Sequence, residues 1–206
     1  MSADAPATSA PLIGEPLPVE FMNTMWADRS GIHDSLATAA EASGWITALA
    51  PRLSAILGER VVELTTTDVT DLRRLRDAGR RLAAQHTEDP RERAASATTD
   101  AQEAVATVNA SAGRAPSWPV LEFGGERSFT ARSEAAGTSA EALISALAAE
   151  TIALFGQGDN LDLRACLAPG CVLYFIKDHP RREWCSAACG NRARAARHYA
   201  RHRRAP

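Results

Sequence analysis

The chain has 206 residues, 45% of them hydrophobic, with 23 basic against 25 acidic side chains and four cysteines. No apolar run reaches membrane-spanning length without a charge, which excludes a membrane-embedded chain and predicts a soluble one. The opening Met1-Ser2-Ala3-Asp4 offers neither a basic nor an apolar export region, so a cytoplasmic, reducing setting is expected. The net charge of −2 conceals two unlike halves. From Asn160 onward ten basic residues face three acids, whereas the first 159 residues carry 13 basic and 22 acidic ones.

Residues 1–17, rich in Ala, Pro and Ser, are expected to be a disordered tail. Residues 18–158 have the length of one domain with a real core. Val19–Thr24 reads as a short strand, and Asp28, Ser30 and Gly31 as a turn. Thr38 with Glu41 is a capping-box pattern, followed by the apolar stripe Ala42, Trp45, Ile46 and Leu49 up to Pro51. Leu53–Leu57 predicts a second short helix. A longer one begins near Asp68, with Val69, Leu72, Leu75 and Leu82 inward and Arg73, Arg74, Arg80 and Arg81 outward. Ala104, Val105 and Val108 predict a further helix ending before Gly113. Trp118–Phe123 and Arg127–Ala131, joined at Gly124-Gly125, predict a hairpin. Thr138 with Glu141 opens a last long helix, with Leu143, Leu147, Ile152 and Phe155 toward the core. Gly156-Gln157-Gly158-Asp159 breaks it and marks a boundary.

Nothing in residues 18–158 composes a catalytic constellation, and a non-enzymatic protein is expected. His33-Asp34 is an adjacent pair in a turn, which does not make a dyad. Asn23, Trp26 and Trp45 can be read as lining a small-effector pocket, although a buried hydrogen bond and two core aromatics explain them more simply. Arg73 and Arg76 read as solvated helix charges.

The chemistry concentrates in residues 159–206. Cys166, Cys171, Cys185 and Cys189 follow the pattern C-x4-C-x13-C-x3-C: two short-range pairs separated by a span long enough for a hairpin. Two disulfides are the rival reading, and the expected reducing setting weighs against them. Four thiolates suit one tetrahedral zinc and close its coordination shell, so the metal is expected to be structural. Pro169-Gly170 supplies a turn between the first two cysteines. Cys185 and Cys189 share one helix face, with Ser186 as the cap. Leu173, Phe175 and Trp184 are the expected local core, and Arg164, Arg182 and Arg192 would offset the thiolate charge.

Beyond Cys189 the Ala/Arg-rich run predicts a helix on which Arg194, Arg197, Arg201 and Arg204 form one stripe. Arg192 and Arg203 lie on an adjacent stripe, and Asn191 at the base. The other face is alanines and Tyr199, too little apolar bulk for a membrane surface. Guanidinium forks match phosphates and guanine edges, and Asn191 matches adenine, so nucleic acid is the favoured partner. An acidic protein surface, or RNA, remains the alternative.

The string Trp184-Cys185-Ser186, then Cys189-Gly190-Asn191-Arg192 and a basic helix, resembles the CGNR zinc finger, found C-terminal to the ABATE domain in bacterial proteins assigned to stress-induced transcription regulation. Phe21-Met22-Asn23-Thr24 resembles that family's opening strand, and Trp118–Phe123 its middle strand. The resemblance implies an α+β chain: a mostly helical domain with a small hairpin over 18–158, and a zinc-ribbon-like module ending in a basic helix over 159–206. DNA is accordingly the expected partner. One short helix reaches only a few base pairs, so a homodimer supplying a second half-site is expected, with a small-molecule effector that changes the dimer geometry.

Overall fold

A computed structural model describes residues 10–57, 61–125 and 127–202. Of the expected tail, residues 1–9 lie outside the described residues, and 10–17 are packed rather than free. The Ala10 amide donates to Ser35 Oγ at 2.9 Å, and the amides of Ile13 and Glu15 donate to the buried Glu20 Oε1 at 3.0 and 2.8 Å. An acceptor inside the domain thus holds a segment whose composition alone reads as mobile.

Seven α-helices and three two-stranded antiparallel sheets are found among the described residues. The expected strand at Val19–Thr24 is instead helix α1, Leu17–Met22. All six of its residues are buried, so the alternation of Val19 and Phe21 does not mark one buried face. Pro18 sits in the first turn, where its missing N–H costs no helical bond. β1 (Met25–Ala27) and β2 (Ile32–Asp34) flank the Asp28–Gly31 turn. Helix α2 (Ala39–Ala48) is capped by Thr38 as expected. Pro51 does not break the chain: it lies in the first turn of α3 (Ala50–Leu57).

Helix α4, Thr66–His86, starts from a reciprocal Thr65/Asp68 capping box. Its Arg76 and Arg80 point inward, against the expectation of solvated charges. Arg76 is 1% exposed and pairs with Asp34 and Asp77. Arg80 is fully buried and donates to the carbonyls of Met22, Ala94 and Val172 at 2.9, 3.1 and 3.2 Å. Helix periodicity places both on the inner face with Val69 and Leu72, and only their charge argues for solvent; segments arriving from elsewhere supply the partners that let them stay buried.

Helix α5 spans Ala101–Ala112, capped by Asp100. β3 (Ser117–Gly125) and β4 (Ser128–Ala135) form the expected hairpin, but its strands continue through Gly124-Gly125. The reversal lies one step later, where Arg127 takes φ 77°. Helix α6, Ser139–Phe155, is capped by the Thr138/Glu141 box; Ile152 faces solvent rather than the core, at 42% exposure.

β5 (Leu163–Ala165) pairs with β6 (Tyr174–Ile176), and α7 (Ala187–His202) follows. This C-terminal segment shares one hydrophobic core with the rest. The four cysteines and Val172, Leu173 and Phe175 belong to the same buried cluster as Phe21, Trp45, Leu72 and Leu147. A second cluster joins Val19 and Met22 of α1 to Leu163 and Tyr174.

Candidate metal centre

The first two cysteines sit on a knuckle. The Cys171 amide donates to Ala168 O at 2.9 Å, and Gly170 takes φ 75°, the left-handed region where a side chain is disfavoured. The second pair straddles the start of α7. Ser186 Oγ accepts the Cys189 amide at 3.3 Å, the cap expected from the sequence. Gly190 permits a close approach: a Cβ there would lie 3.1 Å from the Trp184 ring.

All four Sγ atoms fall within 4.8 Å of one another, and all four cysteines are buried. Sγ–Sγ separations are 3.8 Å for Cys171–Cys185 and 3.4 Å for Cys185–Cys189. A tetrahedral ion with Zn–S near 2.3 Å separates its sulfurs by about 3.8 Å, so the side chains already hold the spacing the metal needs. With protons in place of a cation the cluster is frustrated. Hydrogen bonds among the thiols hold Cys166 down to about 7 and Cys189 lower still, while the same bonds push Cys171 and Cys185 up. Zinc removes the conflict by letting the thiol protons leave.

Arginines surround this centre. Arg192 Nη2 donates to Cys189 Sγ at 3.0 Å. Arg182 donates to the carbonyls of Ile176 and Cys185 at 3.0 and 3.3 Å, pairs with buried Glu15 and lies over the Phe175 ring. Arg164, the third expected counter-charge, turns away to Asp162. No motif in the sequence marks Arg91. Its Nη1 donates to the carbonyls of Cys166, Cys171 and Leu173 at 3.0, 3.3 and 3.1 Å, so one guanidinium from the N-terminal segment gathers the knuckle from below. Asp89 orients it through two bonds of 2.7 and 2.6 Å and accepts the Tyr174 hydroxyl at 2.8 Å. Burial pushes the Asp89 carboxyl up, but its bonds to Arg91 and Tyr174 outweigh burial and hold it below the usual value. Burial raises the Tyr174 hydroxyl to about 12 and lowers Arg80 to about 10.

The three residues read as a ligand pocket are spent on packing. Asn23 is fully buried, its Nδ2 donating to Tyr174 O and its Oδ1 accepting Tyr174 N, both at 2.9 Å. Trp26 stacks on His33 and donates to Ser35 Oγ, and Trp45 packs in the core against Phe21. His33 does not engage Asp34. Its Nε2 meets both Asp28 Oδ1 (2.8 Å) and Ser30 Oγ (3.0 Å), a turn staple rather than a relay, which would need the two partners on opposite ring nitrogens.

On α7, Asn191, Arg192, Arg194, Arg197 and Arg201 are exposed, and Arg204 lies outside the described residues. From Arg194 to His202 every residue faces solvent and none is acidic. Arg194 Nη2 donates to Asn191 Oδ1 at 2.5 Å. The helix therefore starts against the metal centre and projects free.

Among known protein families, residues 15–158 match the ABATE model, described as a putative stress-induced transcription regulator, and residues 163–202 match the CGNR zinc finger. No curated protein matches the chain. The first match spans well over half of the 206 residues, and the chain belongs to the ABATE family. The four clustered cysteines and the finger match together identify the centre as one structural zinc.

Proposed function

We propose that this ABATE-family chain is a cytoplasmic, non-enzymatic transcription regulator that binds DNA through α7. The observation that carries the reading is the one-sided arginine row on a helix clamped at its base by zinc. Arg194, Arg197 and Arg201 recur at helical spacing and are exposed, and no acid on α7 neutralises them. A helix of about 10–12 Å diameter fits a major groove about 12 Å wide, with arginines on its flank reaching phosphates. Asn191, one turn before Arg194, would offer its amide to a base edge. Zinc here does no chemistry on a substrate; it fixes the direction in which α7 leaves the domain. An effector sensed by residues 18–158 would act through the hydrogen bonds that reach the knuckle, those of Arg91 and Asn23 foremost.

The test is the salt dependence of binding. Replacing Arg194, Arg197 and Arg201 with Ala should weaken DNA binding and reduce the log–log salt slope by roughly 3, about one unit for each phosphate that is no longer neutralised. An unchanged affinity and slope would instead favour docking of α7 on an acidic protein.

A further inference from the structure

The β3–β4 hairpin has two unlike faces, both largely exposed. Glu122, Arg132 and Glu134 share the first face, linked as an ionic triad of the kind suited to water. The register puts Leu121 opposite Ala131 and Phe123 opposite Phe129 on the other face. The two phenyl rings pack at 5.3 Å, yet Leu121, Phe123 and Phe129 are 69%, 68% and 63% exposed. The described residues of this face, Pro119, Leu121, Phe123, Phe129, Ala131 and Ser133, carry no charge. An isolated two-stranded ribbon is at best marginally stable in water, and three large apolar side chains projecting from one are costly to leave wet.

We propose that this face is a homodimer interface, in which the ribbons of two copies stack apolar side to apolar side about a two-fold axis with their ionic faces outward. A second copy is the occupant because the face is self-complementary: it bears no charge that would select a partner of opposite sign, and a stacked pair of ribbons about 10 Å apart forms a small sandwich. The area fits as well. At roughly 200 Å² for each large side chain, the three contribute about 400 Å² per copy, or about 800 Å² for the pair. With the flanking small residues the total approaches the lower end of specific interfaces, about 1,200 Å². An interface this small and without charged anchors fits a reversible dimer, taken here in the micromolar range, and it stands apart from the DNA reading because no nucleic acid enters it.

Sedimentation equilibrium of the zinc-loaded full chain from about 1 to about 100 µM tests it, a range centred on a micromolar constant. The wild type should shift from monomer to dimer across this range. Phe129→Asp and Leu121→Asp should each weaken association at least about 100-fold, while Arg132→Ala on the ionic face leaves it within about 3-fold. Zinc content and helical circular dichroism should match the wild type in all three, since the sites are exposed. A wild type that stays monomeric at about 100 µM, or a Phe129→Asp chain that dimerises as the wild type does, overturns the proposal.

Discussion

Replacing Asn23 with Ala should loosen the zinc knuckle through Tyr174, 151 residues away in sequence from Asn23. The Asn23 amide mimics a neighbouring strand along β6, satisfying both the N–H and the C=O of Tyr174 at 2.9 Å, in a place where neither residue is exposed. Alanine removes both partners and leaves the two backbone groups buried. Each orphaned group costs about 1–3 kcal/mol, so the loss is about 2–6 kcal/mol, a large fraction of the 5–15 kcal/mol typical of a domain. Urea unfolding followed by circular dichroism should show a lower midpoint at unchanged slope. Tyr174 lies three residues beyond Cys171, so zinc should also pass faster to a chromogenic chelator in the variant. A destabilisation below about 0.5 kcal/mol, with wild-type zinc release, would refute the view that this amide clamps the finger to the domain.

Metal analysis should find one zinc per chain, and Cys189→Ser should destabilise the whole protein rather than the C-terminal segment alone, since a structural zinc supplies on the order of 10 kcal/mol and its ligands lie in the main core; a folded chain with four reactive thiols and no zinc would contradict this. Asp28 should titrate well below the ordinary carboxylate range, held down first by the His33 hydrogen bond and then by Ser30. In His33→Ala its NMR titration should move up toward about 3.9. Because the folded value is the depressed one, the turn's contribution is present above the unfolded value and fades as pH falls; an unmoved midpoint in the variant would refute the assignment.

The helices α2, α5 and α6 and the metal ligands are legible in the sequence because local chemistry decides them. The Thr38 cap, the Thr138 capping box and the cysteine spacing act over a few residues, and the Trp118–Phe123 hairpin has its own register. What escapes a sequence reading depends on segments distant along the chain. Val19–Thr24 alternates like a strand, yet α4, α6 and β6 all pack against the helix it forms and bury it on every side. Arg76 and Arg80 share the apolar phase of α4 with Val69 and Leu72, yet their charge reads as solvated, because Asp34 and the three carbonyls that receive them lie outside α4. Arg91 carries no motif at all, since its partners at the knuckle are carbonyls and any residue provides those.

The same long-range interactions decide how the finger can be used. Asn23, Glu15, Arg80 and Arg91 all end on residues 166–182, whereas α7 beyond Ala193 is exposed at every described position. A 16-residue helix is about 24 Å long, so tilting its zinc-clamped base by about 10° moves its far end by about 4 Å, enough to take an arginine out of reach of a phosphate. The lever needs no flexible linker. On the proposed function, a ligand that favoured one arrangement of α1 and α4 over another would bias the knuckle through Asn23 and Arg91, and the arginine row would follow as a rigid arm, to the extent that the ligand's affinity for the two arrangements differed.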